Sequence, residues 1–350
     1  MTAAQHRIVQ ANGVRIHLVE QGTGPLVLLI HGWPELWYSW RHQLPALADA
    51  GYRAVAMTSR GYGRSFKPTD WRDYRLSQTV GDVVGVVQAL GEKQAVVVGH
   101  DWGAPIAWTA AWVRPDLFRG VVGISVPFGG RNFLCLPGDP DGGRNPTEHH
   151  RAIAGDDQLF YQEYFSIPGL VEGEAEPDVR GWYRDLVYSA SGEALGPMLS
   201  GVDLSSDEAI VGLLRQSLLC VPRGGKIRDR FLGSGKMPAW LSEEDLDVFA
   251  AEFEGTGFRG GLDYYRAIEL SWADLAPMSG KPLEVPAFFI GGEFDVATIW
   301  GREAIRRHRE RIPQYAGDVV FPGCGHWIQQ ERSRETNEHL VRFLGDLRGK

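Results

Sequence analysis

Six residues of the chain, Gly99-His100-Asp101-Trp102-Gly103-Ala104, have the pattern of a very tight turn with a reactive apex. The apolar run 95–98 leads into them, and a helix-compatible run, 104–112, follows. Small residues two positions before and after Asp101 let a strand and a helix pass closely, so the apex side chain projects outward. A carboxylate there can attack a saturated carbon and form an ester that water can cleave, whereas a serine would leave an ether. Asp101 is therefore a candidate nucleophile for an epoxide or alkyl halide, although an aspartate that only caps the helix is the simpler alternative.

Two later residues complete a possible catalytic set. Asp295 follows the apolar strand 285–290, and His326 follows the strand 318–321 within a glycine-rich turn. The carboxyl ends of parallel strands share one edge of a sheet, so both side chains can converge on Asp101. The order along the chain is nucleophile, acid, base, with Glu293 as the nearest rival of Asp295.

A second loop beside the turn offers backbone donors. The buried strand 26–30 ends in His31-Gly32-Trp33-Pro34-Glu35. The amide of Trp33, together with the amide of Trp102, is placed to hold a developing oxyanion. Pro34 is a candidate for a cis peptide bond, and the sequence leaves its isomer open.

The elements that must position these groups indicate an α/β fold with a mainly parallel sheet flanked by helices. An antiparallel hairpin around Asn12-Gly13 is expected at a sheet edge. The other predicted elements are a strand over 52–57, a strand over 119–125, helices over 36–50 and 76–90, and a C-terminal helix from about Ser333.

The middle of the chain has a different texture. Proline and glycine cluster at 137–146, and residues 150–275 carry helical patterns with many aromatic side chains. We interpret the chain as a core in two parts, 1–130 and 276–350, separated by a helical lid at 131–275. Most of the aromatic side chains in such helices belong to a packed interior.

Composition excludes several function classes. A net charge of −8 argues against nucleic-acid partners and anionic membrane surfaces. The N-terminus lacks the apolar segment of a signal peptide, and no apolar run is long enough to span a membrane. Three scattered cysteines, Cys135, Cys220 and Cys324, indicate a reducing compartment, so we expect a cytoplasmic location. No metal or cofactor is predicted, and the sequence leaves monomer and homodimer open.

Several motifs together resemble one family. They are His31-Gly-Trp-Pro-Glu-Leu-Trp-Tyr-Ser-Trp-Arg-His-Gln43, Arg60-Gly-Tyr-Gly63, Gly99-His-Asp-Trp-Gly-Ala104, Tyr161-Gln-x-Tyr-Phe-x-x-Pro-Gly169, Gly257-Phe-x-Gly-x-x-x-Tyr-Tyr-Arg266, Gly292-x-Phe-Asp295 and Gly325-His326-Trp327. In combination, and over nearly the whole chain, they resemble soluble epoxide hydrolases of the α/β-hydrolase fold, the plant and bacterial members above all.

The resemblance implies a function and further site residues. The expected reaction adds water to a small apolar epoxide and yields a vicinal diol through an ester on Asp101. Two tyrosines of the lid would hold the epoxide oxygen, and by position these are Tyr161 and Tyr265, with Tyr164 and Tyr264 as close competitors. The further residues expected to contact substrate are His31, Pro34, Gln162 and Trp327. Glu35 would stand behind them and hold a water near the base.

The sequence also departs from the family and leaves alternatives. Residues 57–61 lack the usual proline and aspartate of this turn, so we expect a local change without lost chemistry. A haloalkane dehalogenase also uses an aspartate at this turn, and the indole of Trp102 is able to bind halide. The tyrosine pair disfavours that reading, because halide needs no proton donor. A ligand-binding receptor on the same fold is a third possibility, which a complete catalytic set disfavours.

Overall fold

A sheet of eight strands forms the centre of the protein. The computed structural model describes residues 4–131 and 145–348. The strands of the main sheet are β1 Gln5–Ala11, β2 Val14–Gln21, β3 Leu26–Ile30, β4 Arg53–Thr58, β5 Ala95–His100, β6 Phe118–Ile124, β9 Ala287–Gly292 and β10 Tyr315–Phe321. A second, two-stranded sheet consists of β7 Gln158–Phe160 and β8 Cys220–Pro222.

The strand order is β1-β2-β4-β3-β5-β6-β9-β10. The strands β1 and β2 form the predicted edge hairpin, and β2 pairs antiparallel with β4. Asn12 and Gly13 both have positive φ, 50° and 77°, as a two-residue hairpin turn requires. From β4 to β10 all neighbouring strands are parallel, and every residue of β3 and β5 is buried. The predicted α/β class is confirmed.

Seventeen α-helices accompany the sheets in the described residues. They are α1 Gln43–Asp49, α2 Leu76–Ala89, α3 Gly103–Val113, α4 Pro146–Ala154, α5 Tyr161–Ser166, α6 Leu170–Ala175, α7 Val179–Ser189, α8 Gly192–Leu199, α9 Asp207–Gln216, α10 Glu243–Thr256, α11 Arg259–Arg266, α12 Ile268–Asp274, α13 Val296–Trp300, α14 Arg302–Arg306, α15 His308–Arg311, α16 Ile328–Glu331 and α17 Ser333–Arg348. We call α4–α12 together, with β7 and β8, the helical insertion. Every helix of the described chain is too short or too polar to cross a membrane.

The two faces of the sheet have separate cores. Leu28 of β3 belongs to a cluster that includes the buried residues of α2 and α3. Its neighbours Val27 and Leu29 belong to a second cluster with α1 and α17. This alternation is what a strand covered by helices on both faces requires.

Two local predictions differ from the structure. The single helix predicted over 36–50 is a 3₁₀ helix, Trp37–Trp40, followed by α1. Pro45 lies in the first turn of α1, where its missing N–H costs nothing, so a helix cannot run through it from further upstream. The sequence does not predict the strands β7 and β8, because three residues are too few to show a periodic pattern.

The two cysteines that the structure describes form no disulfide bond, as their scattered positions in the sequence predict. Cys220 and Cys324 are free and buried, and Cys135 lies outside the described residues. Burial raises the pKa of the Cys324 thiol well above its ordinary value, with the charges of Glu331 and Asp295 acting in the same direction. Cys324 is therefore a packed core residue despite its place two residues before His326.

Candidate active site

The turn between β5 and α3 is as tight as its glycines suggested. A Cβ on Gly99 would lie 2.0 Å from the carbonyl oxygen of Gly103, and a Cβ on Gly103 would lie 2.0 Å from that of Ile30. Asp101 at the apex has φ +50°, a left-handed conformation that aspartate tolerates better than most residues. Its side chain lines a cavity of about 460 Å³ at the carboxyl edge of the sheet.

Asp101, His326 and Asp295 lie together at this edge. Nε2 of His326 is 3.6 Å from Oδ2 of Asp101, and Nδ1 is 3.0 Å from Oδ1 of Asp295. Asp295 also caps α13, where it accepts hydrogen bonds from the amides of Ala297 and Thr298. Its rival Glu293 instead accepts the amide of Gly323 at 2.7 Å.

Charge couples the three groups. Burial alone would lower the pKa of His326, but the charge and hydrogen bond of Asp295, together with the charge of Asp101, raise it to about 9. Burial raises the pKa of Asp101, and His326, His100 and the amides of Trp33 and Trp102 offset part of this effect. The pair Asp101–His326 therefore favours a carboxylate beside an imidazolium near neutral pH.

Backbone donors hold one oxygen of the apex carboxylate. The amide of Trp33 donates to Oδ1 of Asp101 at 2.7 Å, and the amide of Trp102 also hydrogen-bonds this carboxylate. The Trp33–Pro34 peptide bond, which the sequence left open, is cis. Oδ1 of Asp101 thus accepts the Trp33 amide, and Oδ2 is the oxygen that faces Nε2 of His326.

The four candidate tyrosines divide into two pairs. Tyr161 and Tyr265 both line the cavity with Asp101, and their rings are 6.0 Å apart. The hydroxyl of Tyr164 donates to Glu174, and that of Tyr264 donates to the carbonyl of Arg60 at 3.0 Å. Only the first pair is thus placed to meet a ligand above the carboxylate.

Comparisons with known proteins agree with this geometry. The family model described as the alpha/beta hydrolase fold matches residues 25–333. The chain is 50% identical to Epoxide hydrolase B of Mycobacterium tuberculosis, over 98% of this chain and 99% of that protein. It is 36% identical to Epoxide hydrolase 3 of Siraitia grosvenorii, over 98% and 99% of the two chains. The chain belongs to the epoxide hydrolase family.

Solved structures support the same membership. The structure of an epoxide hydrolase from an endophytic Streptomyces superposes with a TM-score of 0.89 at 46% identity, covering 100% of this chain and 98% of that chain. That of Epoxide Hydrolase A from Mycobacterium thermoresistibile gives 0.83 at 36% identity, covering 98% of each chain.

In this member of the epoxide hydrolase family, three of the four residues expected to contact substrate line the cavity: Pro34, Gln162 and Trp327. The fourth, His31, does not, and that expectation is corrected. Its side chain is buried behind the loop, where Nδ1 lies 2.8 Å from the carbonyl of Gly32 and Nε2 accepts the amide of Ser59. Burial lowers the pKa of His31 to about 4, so it is a neutral support for the loop. The same bond to Ser59 anchors the turn that departs from the family pattern.

Glu35 lies behind the Trp33 loop, as expected, and its role of holding a water near the base stays a prediction. It is fully buried, and its Oε2 accepts the amide of Gly32 at 2.9 Å and contacts His100 at 2.7 Å. Oε1 accepts the side-chain Nε2 groups of Gln329 and Gln330 at 2.8 and 3.4 Å. Burial would raise the pKa of Glu35, but His100 and the Gly32 amide lower it to about 2. With its oxygens so occupied, Glu35 fixes the Trp33 loop and, through His100, the carbonyl of His326.

Sequence reasoning missed one residue beside His326 and one beside Asp295. The hydroxyl of Ser125 lies 3.1 Å from Nδ1 of His326, and the hydroxyl of Thr298 donates to Oδ2 of Asp295 at 2.8 Å. Ser125 comes directly after β6 and has φ +72°, so the strand-end rule that found Asp101 would also have found it. Across residues 4–131 and 145–348, no group of three or more His, Cys, Asp or Glu is arranged to hold a metal ion.

Proposed function

We propose that the protein hydrolyses small apolar epoxides to vicinal diols through an ester on Asp101. The observation that carries the proposal is the arrangement around one cavity. A carboxylate with one oxygen held by the Trp33 amide lies below, and the side chains of Tyr161 and Tyr265 line the same space. The membership in the epoxide hydrolase family supports the same reaction.

The first step forms the ester. Oδ2 of Asp101 attacks a ring carbon of the epoxide, the C–O bond breaks, and the ring oxygen takes a proton from a tyrosine hydroxyl. Burial raises the pKa of Tyr265 well above its ordinary value, and the charge of Asp101 acts in the same direction. Tyr265 therefore stays protonated until a strongly basic alkoxide develops beside it.

The second step cleaves the ester. His326 removes a proton from water, which attacks the carbonyl carbon of the Asp101 ester, and the amides of Trp33 and Trp102 hold the oxyanion. Collapse of this intermediate breaks the bond between the carbonyl carbon and the diol oxygen, which takes the proton back from His326. The proton of the new Asp101 carboxyl group restores the tyrosine hydroxyl, so that Asp101 is again a carboxylate. Forming the ester removes the charge of Asp101, which is one of the groups that raise the pKa of His326 to about 9. Esterification thus lowers that pKa and increases the neutral fraction of the imidazole for the second step.

The lining of the cavity supports the substrate class. Most lining residues are aliphatic or aromatic, among them Phe165, Leu186, Leu199 and Leu214. Such a wall favours apolar epoxides, with the tyrosines as the polar groups that fix their orientation. We further propose that residues 1–130 and 276–350 act as the catalytic core and 131–275 as its lid. A net charge of −8 supports a small-molecule partner over nucleic acid, and two free buried cysteines support a cytoplasmic location.

The alternatives have less support. For a dehalogenase, Trp102 would have to offer its indole N–H to halide, yet that side chain hydrogen-bonds Tyr265. The relatives are epoxide hydrolases, which does not favour the dehalogenase. A receptor without activity would need none of the pairing between Asp101, His326 and Asp295.

A single turnover in ¹⁸O-water tests the proposal. Styrene oxide is supplied below the concentration of protein, and the peptide containing Asp101 and the product are weighed by mass spectrometry. We expect solvent oxygen in Asp101 and protein oxygen in the diol. A diol that carries only solvent oxygen would exclude the ester, and the absence of any diol from a panel of aryl and alkyl epoxides would contradict the function.

A further inference from the structure

A chain of three buried or half-buried polar side chains ends on one of the cavity tyrosines. Nε2 of His150, on α4, lies 2.8 Å from Oε1 of Gln162. Nε2 of Gln162 in turn donates to the hydroxyl oxygen of Tyr161 at 3.0 Å. His150 is 5% exposed and Gln162 is 2% exposed, so water does not easily replace either contact.

The direction of the hydrogen bonds in this series of side chains decides which group accepts the Tyr161 proton. As long as Gln162 donates its N–H, the Tyr161 oxygen accepts and its own proton can point toward a ligand. If the Gln162 amide were rotated by half a turn, its oxygen would face Tyr161 and the tyrosine would donate to it instead. Both arrangements place atoms in nearly the same positions, because an amide carries a donor and an acceptor of similar size.

The other tyrosine does not face this ambiguity. Tyr265 receives a side-chain hydrogen bond from Trp102, and an indole is a donor only. Tyr265 therefore always accepts from Trp102. One hydrogen-bond partner of Tyr161 is the Gln162 amide, which can act either way, so the direction of this amide must be set by the group behind it, which is His150.

We propose that His150 is a positioning residue that donates from Nε2 to Gln162, and thereby keeps the Tyr161 hydroxyl directed at the epoxide oxygen. The inference rests on the proposed function. Burial lowers the pKa of His150 to about 4, against opposing effects of Gln162 and Glu269, so the ring is neutral at working pH and has a single N–H. A single N–H on Nε2 of His150 fixes the direction of both hydrogen bonds, whereas a proton on Nδ1 alone would reverse them.

The role proposed for His150 concerns only the ring-opening step. Tyr161 would serve ring opening, while cleavage of the ester depends on His326 and water. Reversal of these hydrogen bonds should therefore slow formation of the ester and leave its hydrolysis unchanged. A merely structural role for His150 or Gln162 would disturb the cavity and both steps together.

Two substitutions at position 162 separate direction from structure. Gln162→Glu keeps the size of the side chain but can only accept, so it takes the Tyr161 proton, and we expect ester formation to slow about 10²-fold. Gln162→Leu loses both hydrogen bonds but leaves the Tyr161 proton to the ligand, so we expect a smaller loss. Stopped-flow single turnovers with styrene oxide give the rate constant of ester formation, and the decay of the isolated ester gives that of hydrolysis.

A double-mutant cycle tests whether His150 acts through Gln162. His150→Phe alone should slow ester formation, since the amide is then free to rotate, but it should add nothing in the Gln162→Leu background. Unchanged hydrolysis rate constants show that the variants are folded.

The proposal is overturned if Gln162→Glu forms the ester as fast as Gln162→Leu, if His150→Phe slows both steps alike, or if the two losses add. Failure of the proposed function has a different signature, because the unmodified protein would then form no ester and no diol.

Discussion

On the core side of the cavity, each reactive group follows a strand end: Asp101 after β5, Asp295 after β9 and His326 after β10. On the side of the helical insertion, Tyr161 begins α5 and Tyr265 lies near the end of α11. Strand ends are brought together by the pairing of a parallel sheet, so their convergence follows from topology. Positions on short helices depend on how those helices pack.

The two sides of the cavity are also assigned different parts of the proposed reaction. In the proposed mechanism, the core carries the groups that form and cleave the ester, whereas the insertion carries the tyrosines that protonate the oxygen leaving the ring. A substitution on the core side should therefore stop turnover or trap the ester. One on the insertion side should slow only the first step.

The largest effect is expected at the nucleophile. Asp101→Asn removes the attacking carboxylate, and turnover should fall about 10⁶-fold, as for nucleophiles in other covalent hydrolases. Mass spectrometry after incubation with styrene oxide should find no adduct. Asp116→Asn is the matched control, because Asp116 is an exposed partner of Arg114 far from this chemistry. Appreciable diol formation by the asparagine variant would refute the covalent route.

The base gives the next largest effect, with a different signature. His326→Gln should still form the ester but hydrolyse it about 10³-fold more slowly, because the water is no longer activated. One equivalent of epoxide should be consumed in a burst, and the Asp101 peptide should gain the mass of the substrate. Multiple rapid turnovers by this variant would contradict the assignment of His326.

A pair of neighbouring tyrosines tests the insertion side. Tyr265→Phe should slow ester formation about 10²-fold, through loss of one donor to the leaving oxygen, and should not change ester hydrolysis. Tyr264→Phe removes a hydroxyl that donates to the Arg60 carbonyl. It should leave both rate constants unchanged and lower the free energy of unfolding by about 1 kcal/mol, measured by urea titration. If the two variants exchanged these phenotypes, the division of the tyrosines would be wrong.

Low pH should slow ester hydrolysis before it slows ester formation, and this effect should be smaller than those of the substitutions. The pKa of His326 is about 9 while Asp101 is charged, and it falls below that value when Asp101 becomes an ester. Hydrolysis needs the neutral imidazole, so its rate constant should fall about tenfold per pH unit below that lowered pKa. Ester formation should persist to lower pH and fail only when Asp101 itself is protonated. Pre-steady-state rates from pH 5 to 9 provide the measurement, and parallel profiles for the two steps would argue against the charge coupling.

The same contrast between the core and the insertion explains which features of the protein could be predicted from the sequence. The fold class and the convergence of Asp101, Asp295 and His326 could be anticipated, because apolar strands and the residues after them are legible locally. The family resemblance favours Tyr161 over Tyr164 by position, but the physical reason could not be anticipated, because it is the hydrogen bond from the Tyr164 hydroxyl to Glu174. The role of His150 left no signal, because it acts on Gln162 through one side-chain contact from another helix.

His31 and Glu35 show a further limit. The loop motif correctly indicates a structured corner, but it does not tell which side chains face the cavity. In the structure both point inward and hold backbone groups, whereas the amide of Trp33 faces Asp101. Motif membership therefore does not separate groups that contact a ligand from groups that hold the loop.

The glycines around Asp101 have a consequence for how such a protein can change over generations. Gly99 and Gly103 leave no room for even a methyl group, while the apex residue between them faces an open cavity. Inherited variation is thus blocked at the flanking positions and permitted at the centre. A lineage that carries this turn can therefore change the side chain presented to the cavity without rebuilding the backbone that presents it.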